Sequence, residues 1–262
     1  MGNGELRDGW SEMNIAKITG WLDRELDVAS FDDVSNNGVQ IARDGEDVSK
    51  VAFAVDASLA SVDAAVAAGA QLLVVHHGIS WGGGMRRIEG GLRSVVAAAI
   101  RADLALYAVH LPLDANAKYG NNYEIARHLG LGNLRPAFSY HGNVIGVVGE
   151  NPDFGNLSAF VGEQILPSPG YRVGVCSGGA GEFAEDAKRL GCDLYVTGEA
   201  SWGDVIAAEN VGMKMACCGH YETETFGVKS LAAGMAESLG VETVFLPRAQ
   251  AGSRAPRDRQ AE

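Results

Sequence analysis

The 262-residue sequence predicts an α/β fold of two related halves, each a mostly parallel sheet covered by helices, with polar strand ends facing a cleft between them. Three observations carry this. Strand-like segments such as VAFAV (51–55), LLVV (72–75) and LYV (194–196) are continuously apolar, the pattern of strands buried on both faces. Segments of helical length separate them, as crossovers between parallel strands require. Finally, one order of features occurs twice. A helix ending AAGAQLLVVHHG is followed by a strand ending AVHLPLD, and a helix ending KRLGCDLYVTGE is followed by a strand ending ACCGHYETE. Each copy reads helix, Gly, strand, polar tip, helix, strand, and then His-x-x-x-carboxylate: His110/Asp114 in the first, His220/Glu224 in the second.

Taken in order, residues 1–10 and 249–262 are rich in Gly, Ala and charge without periodicity, so a flexible start and a disordered tail are expected. Apolar Met13, Ile15, Ile18, Trp21, Leu22 and Leu26 predict an amphipathic helix over 11–28 with Ser11 as N-cap. A loop holding Ser35-Asn36-Asn37-Gly38 follows, then a strand (50–55), an alanine-rich helix (58–69) and a strand (71–75). The glycine run 82–84 makes a turning loop before a helix (91–102), a strand (104–109) and a helix (122–129). Residues 130–142 read as a short connection. Beyond it come a strand (143–148), a helix near 157–165, a strand (171–176), a helix (182–191), a strand (194–197), a helix (202–211), a strand (213–218), a helix (222–239) and a strand (242–246). The halves divide as 1–131 and 132–248.

Composition excludes some classes of function. A net charge of −12 argues against general affinity for nucleic acid or for anionic membranes. No stretch approaches the ~20 apolar residues of a membrane span, and the first ten residues lack a basic-then-apolar signal pattern. Cys176, Cys192, Cys217 and Cys218 form neither a CxxC pair nor a disulfide framework, which suits a reducing cytoplasm.

The chemistry centres on His76 and His77, which end an apolar strand. Adjacent strand residues point to opposite faces, so the two rings reach one ion only if the strand bends. A more natural arrangement sends each to a different one of two ions ~3.5–4 Å apart, as in two-metal hydrolases. Such a site needs anionic oxygens, and Asp114 and Glu224 are the candidates, with His220 a third imidazole. His110 reads as a partner that orients a ligand, a substrate-facing acid or base, or a satisfied core histidine. Glu199 reads equally as a substrate-binding or general-base carboxylate and as a solvated one. His128 and His141 are assigned to surface or packing. The turn Ser177-Gly178-Gly179-Ala180-Gly181 reads as an anion cradle or as a plain strand-to-helix turn. Cys217 and Cys218 precede His220 closely, but a His/carboxylate set favours hard or borderline ions over a cysteine zinc site.

At these residues the chain resembles the Nif-three-like family of dinuclear-metal proteins, whose members carry the name GTP cyclohydrolase 1 type 2 homologue. The matching segments are NNGVQ (36–40), VVHHGISWGG (74–83), YAVHLPLDAN (107–116) with GNN after it, VTGE (196–199) and GHYETE (219–224). The first departs from the Asp-Asn-x-Gly-Leu form of many members. The resemblance implies two α/β halves around a di-metal centre and a homo-oligomer, commonly a hexameric ring built as a trimer of dimers. It carries the metal ligands onto His76, His77, Asp114, His220 and Glu224, the set that spacing also reaches. The short 130–142 connection suggests that the extra domain of long members is absent. The function expected is hydrolysis of a small polar or nucleotide-like molecule with two divalent ions (Zn, Fe, Mn or Co), Glu199 or His110 moving protons. The rival expectation is a non-catalytic ring that stores or delivers metal or acts as a regulatory scaffold.

Overall fold

A computed structural model describes residues 13–85 and 87–248. In chain order the elements are α1 (Ile15–Glu25), β1 (Gly38–Ile41), β2 (Lys50–Asp56), α2 (Leu59–Ala67), β3 (Leu72–His77), α3 (Gly90–Arg101), β4 (Ala105–Ala108), α4 (Leu111–Ala115) and α5 (Asn121–His128). They continue with β5 (Gly132–Tyr140), β6 (Asn143–Glu150), α6 (Phe154–Val161), β7 (Arg172–Cys176), α7 (Ala184–Arg189), β8 (Leu194–Thr197), α8 (Trp202–Asn210), β9 (Met215–Cys217), α9 (His220–Leu239) and β10 (Glu242–Phe245). Among these residues no helix is long and apolar enough to cross a membrane.

The strands form two five-stranded sheets, ordered β1-β4-β3-β2-β10 and β5-β6-β7-β8-β9. In the first, β10, β2, β3 and β4 are parallel and β1 is an antiparallel edge. In the second, β7, β8 and β9 are parallel, while β5 and β6 run antiparallel. Both faces of each sheet are covered, which is why the strands are continuously apolar. On β2, Val51, Phe53 and Val55 join the core beneath α1 and α9, while Ala52 and Ala54 join the core beneath α2 and α3. On the second sheet Val173, Val175, Leu194 and Val196 pack with α5 and α6, and Cys176 and Tyr195 pack with α7 and α8. Helices α5 and α9 pack directly on one another, joining the two sheets.

Several expectations change. Helix α1 starts at Ile15 because Asn14 caps it, its side chain accepting from the Lys17 N–H at 2.9 Å; Ser11 and both expected flexible ends lie outside the described residues. The loop at 35–38 runs into β1, a four-residue edge whose first residue, Gly38, has φ +108°. The connection at 130–142 is largely strand β5. Its exposed pattern and Pro136 disguise it, and both are tolerated because β5 is an edge. The helix near 157–165 is α6, shifted to Phe154–Val161. The last strand was expected in the second half, yet β10 pairs with β2, so the chain returns to the first sheet.

This return makes α9 an interior helix. Gly234 lies against the Tyr119 ring, where a methyl group would overlap the ring carbons. Gly-to-Ala inside a helix ordinarily stabilises by ~0.5–1 kcal/mol. Here Gly234→Ala is expected to destabilise by about 1–3 kcal/mol through overpacking, read as a lower urea midpoint at unchanged slope.

Candidate metal centre

Each histidine is placed by strand register. Pairing of Asp56 with His77, and of Val75 with Ala108, sets the tip of β3 between the tips of β2 and β4. There His76 Nδ1 donates to the Val109 carbonyl at 3.0 Å and His77 Nδ1 donates to Asp56 Oδ1 at 2.9 Å. The strand ends at His77, and the two rings converge with centroids 4.7 Å apart instead of splaying to opposite faces. Gly78 allows this close exit, since a Cβ there would collide with the Gln40 amide and Ala108. Gln40, in the NNGVQ segment, holds the outgoing loop by accepting from the Ile79 N–H at 2.6 Å and the Ser80 N–H at 3.2 Å.

The two His-x-x-x-carboxylate pairs occupy equivalent places. His110 caps α4 and Asp114 lies within it; His220 opens α9 and Glu224 lies one turn on, on the same face. Glu224 is the convergence point, 3% exposed. Its Oε1 lies 3.5 Å from His76 Nε2 and 3.0 Å from His220 Nε2, and its Oε2 lies 3.4 Å from His77 Nε2. Asp114 Oδ2 lies 3.5 Å from His76 Nε2. Its other oxygen accepts from Asn121 Nδ2 at 2.8 Å and from Ser177 Oγ at 3.1 Å, which fixes the direction of the first.

All four histidines share one arrangement: Nδ1 is engaged outward, so the lone pair of a neutral ring is left on Nε2. The outward partners are the Val109 carbonyl for His76, Asp56 for His77, Asp33 for His110 and Glu199 for His220. This is how metal-ligating imidazoles are held. His76 Nε2 and Glu224 Oε2 are buried without a hydrogen-bond partner. A neutral His76 thus aims a lone pair at two carboxylates, an arrangement that demands a cation between them. Donor atoms each ~2.1 Å from a tetrahedral ion stand roughly 3.4 Å apart, close to the 3.4–3.5 Å contacts of His76 and His77. The donor set therefore fits metal. Two groups have donor atoms within 4.8 Å of one another: His76, His77 and His110, and His77, His220 and Glu224.

Protons can supply part of the missing positive charge, and the titration of the cluster reflects this. Burial opposes charging of His77, but the hydrogen bond to Asp56 and the nearby Glu224 carboxylate raise it to about 10. The Glu224 hydrogen bond, against burial and aided by Glu199, raises His220 to about 9. His76 also moves up, since Asp114 and Glu224 outweigh its burial. Burial pushes the Glu224 carboxyl up, but His76, His220 and His77 more than reverse that and hold it far below the carboxylate range.

The five ligands expected from the sequence are thus brought together. His110 joins them, its ring 5.1 Å from that of His76. Glu199 is largely exposed, and its observed contact is with the back of His220. His128 packs against Phe160 and Phe226, and His141 sits in a turn at φ +47°. Among the described residues the groups able to hold a metal contain no cysteine. Sequence reasoning missed Asp33, whose two oxygens take four donors: His110 Nδ1, the Ser35 and Leu111 N–H groups, and Asn37 Nδ2. Burial raises the Asp33 carboxyl, but His110, Ser35 and Asn37 together bring it down to about 2. It also missed Asp56, and it quoted Asn121 and Asn122 within GNN without giving either a role.

A profile of the family described as Duf34/NIF3 (NGG1p interacting factor 3) matches residues 13–251. A protein of Archaeoglobus fulgidus named GTP cyclohydrolase 1 type 2 homolog is 40% identical over 241 residues, covering 89% of this chain and 98% of its own. One of the same name from Deinococcus radiodurans is 39% identical over 251 residues, with 91% and 94% covered. Among solved structures, a Thermus thermophilus protein superposes with a TM-score of 0.76 at 32% identity, covering 91% of this chain and 100% of its own. A structure described as protein ybgI, of unknown function, has a TM-score of 0.80 at 29% identity, with 90% and 99% covered.

The titration of the metal-free cluster gives a signed expectation. Histidines raised from 6.5 to about 9 and about 10 contribute stability that is complete below pH 6.5 and lost as pH rises through those values. Metal competes with the same protons, so its binding strengthens over that range. The metal-free protein should therefore lose thermal stability from about pH 6.5 to 10, while the gap between metal-loaded and metal-free melting temperatures widens. Parallel melting curves across this range check both slopes.

Proposed function

The chain belongs to the Duf34/NIF3 family, and on that premise together with the geometry above we propose that it is a dinuclear metal-dependent hydrolase of a small polar, nucleotide-like molecule. The observation that carries the metal reading is the pair of orphaned buried atoms, His76 Nε2 and Glu224 Oε2. His76, His77, His110, Asp114, His220 and Glu224 would hold two divalent ions of the Zn, Fe, Mn or Co type. When bound, such ions acidify a water and polarise an electrophilic centre.

The remaining residues position and exclude. Asp33, Asp56 and Glu199 fix the tautomers of His110, His77 and His220, and Asn121 and Ser177 fix the carboxylate of Asp114. In this arrangement Glu199 acts first on His220, and any proton it moves passes along the cleft edge where it is exposed. Hydrolysis is favoured over storage because the ligands His77, Asp114, His220 and Glu224 line an open cavity of about 340 Å³. A closed structural or storage site needs no such space. The relatives' name makes GTP the first substrate to test. The same reading takes the protein to be cytoplasmic and a homo-oligomer, most simply the hexameric ring expected from the sequence. Trp202, 75% exposed, and Ile206 one turn along α8 offer apolar surface for such contacts.

Two measurements test this. Protein stripped and reloaded with Zn, Mn, Fe or Co should take up about two equivalents and turn over GTP or a member of a phosphoester and amide panel; no turnover with any ion would sink the hydrolase reading. Glu199→Gln and Asp33→Asn should each weaken metal affinity by roughly 10–100-fold, the usual cost of losing the group behind a ligating imidazole, without a matching loss of fold.

A further inference from the structure

The glycine-rich turn 177–181, readable from sequence as an anion cradle, does something else in the fold. It is pinned at both ends. Gly178 lies so close to Glu224 that a Cβ would come 2.5 Å from Oε1, and its N–H donates to Thr223 Oγ1 at 3.1 Å. Gly181 is pressed on Ala200, where a Cβ would meet the Ala200 Cβ at 2.5 Å. Between them the Ala180 carbonyl accepts from the Tyr195 hydroxyl at 2.6 Å and from the Phe183 N–H at 3.2 Å. A turn held this tightly decides where the next two side chains, Glu182 and Phe183, stand.

Both line the 340 Å³ cavity that the candidate ligands open onto. Besides the ligands and the turn, its lining is apolar: Leu111, Ile145, Ala180 and Phe183, with Tyr140 shared with the neighbouring hollow. The Phe183 ring is itself fixed against Phe138, with centroids 5.7 Å apart. Glu182 is exposed at the rim, where the cavity passes into a second hollow beside Tyr140 and His141. Among the described residues its carboxylate has neither an ion pair nor a hydrogen bond, unlike Asp114, Glu199 and Glu224 in the same cleft.

We propose that Glu182 is a specificity-determining residue, and that the cleft takes substrates with a flat body bearing N–H donors: amidine-, guanidine- or amino-heterocycle-like. The flat part lies along the wall of Tyr140, Ile145 and Phe183, its N–H edge meets the Glu182 carboxylate, and its reacting atom faces the candidate ligands. A carboxylate accepts two parallel N–H bonds from such an edge. A loop built to hold phosphate would not present a free carboxylate to its ligand. The inference deepens the hydrolase reading and rests on it for the role of the candidate ligands, but the donor-recognition geometry is independent of metal.

The experiment uses benzamidine, a flat ring with an N–H-bearing end, and benzoate as its charge-reversed counterpart. Binding of each is measured by calorimetry to zinc-loaded and metal-free full-length protein, wild type and Glu182→Gln. Benzamidine should bind the wild type in both metal states, and Glu182→Gln should weaken it by roughly tenfold or more, as loss of a charged hydrogen bond does. Benzoate should bind Glu182→Gln at least as well as the wild type, and zinc content should not change. Equal benzamidine affinity for wild type and variant overturns the proposal. Failure to take up zinc, with benzamidine discrimination intact in metal-free protein, counts against the metal reading alone.

Discussion

The structure depends on one electrostatic constraint: Glu224 and Asp114 bring nearly buried carboxylates to the cleft, where no Lys or Arg among the described residues pairs with them. An ionised carboxylate in low dielectric is costly unless a cation or several donors compensate it. Here the compensation comes from imidazoles, and they come from both halves of the molecule. His76 and His77 arrive on the first sheet, and His220 on the helix that follows the second. The cleft is thus an electrostatic junction between two sheets, and the packing of α5 on α9 holds those sheets together. Asn121 links the two directly, donating to Asp114 and accepting from the Gly227 N–H of α9 at 2.7 Å.

Orientation is supplied one layer further out. An imidazole is a useful ligand only if its proton is kept on the far nitrogen, and four acceptors do this for four rings. Three of the four are carboxylates, and on the metal reading proposed above protons and metal would compete for the inward-facing nitrogens.

Much of this was legible in the sequence. Continuous apolar strands separated by helical segments established the α/β class, and the doubled His-x-x-x-carboxylate tail located the site. Both signals survive because they are local: a strand buried on both faces must be apolar, and a ligand at a strand tip must be polar. What was hidden is what depends on distant partners. Strand β5 carries Pro136 and exposed residues because it is an edge. Strand β10 looks like any final strand, and only its pairing with β2 places it in the first sheet. Asp33 lies 77 residues from His110, and nothing in FDDVSNN marks the second aspartate as the one that holds an imidazole.

The return of the chain through α9 and β10 also bears on biosynthesis. His76 and His77 leave the ribosome long before His220 and Glu224, which stand on a helix that leads directly into β10 on the edge of the sheet begun by β2. The nascent chain therefore carries two imidazoles without their central carboxylate, a weak and indiscriminate chelator. On the metal reading proposed above, selective capture of an ion is deferred until synthesis has passed the final strand, so the metal taken up would be set by what the finished protein meets after translation rather than by what is present at the ribosome.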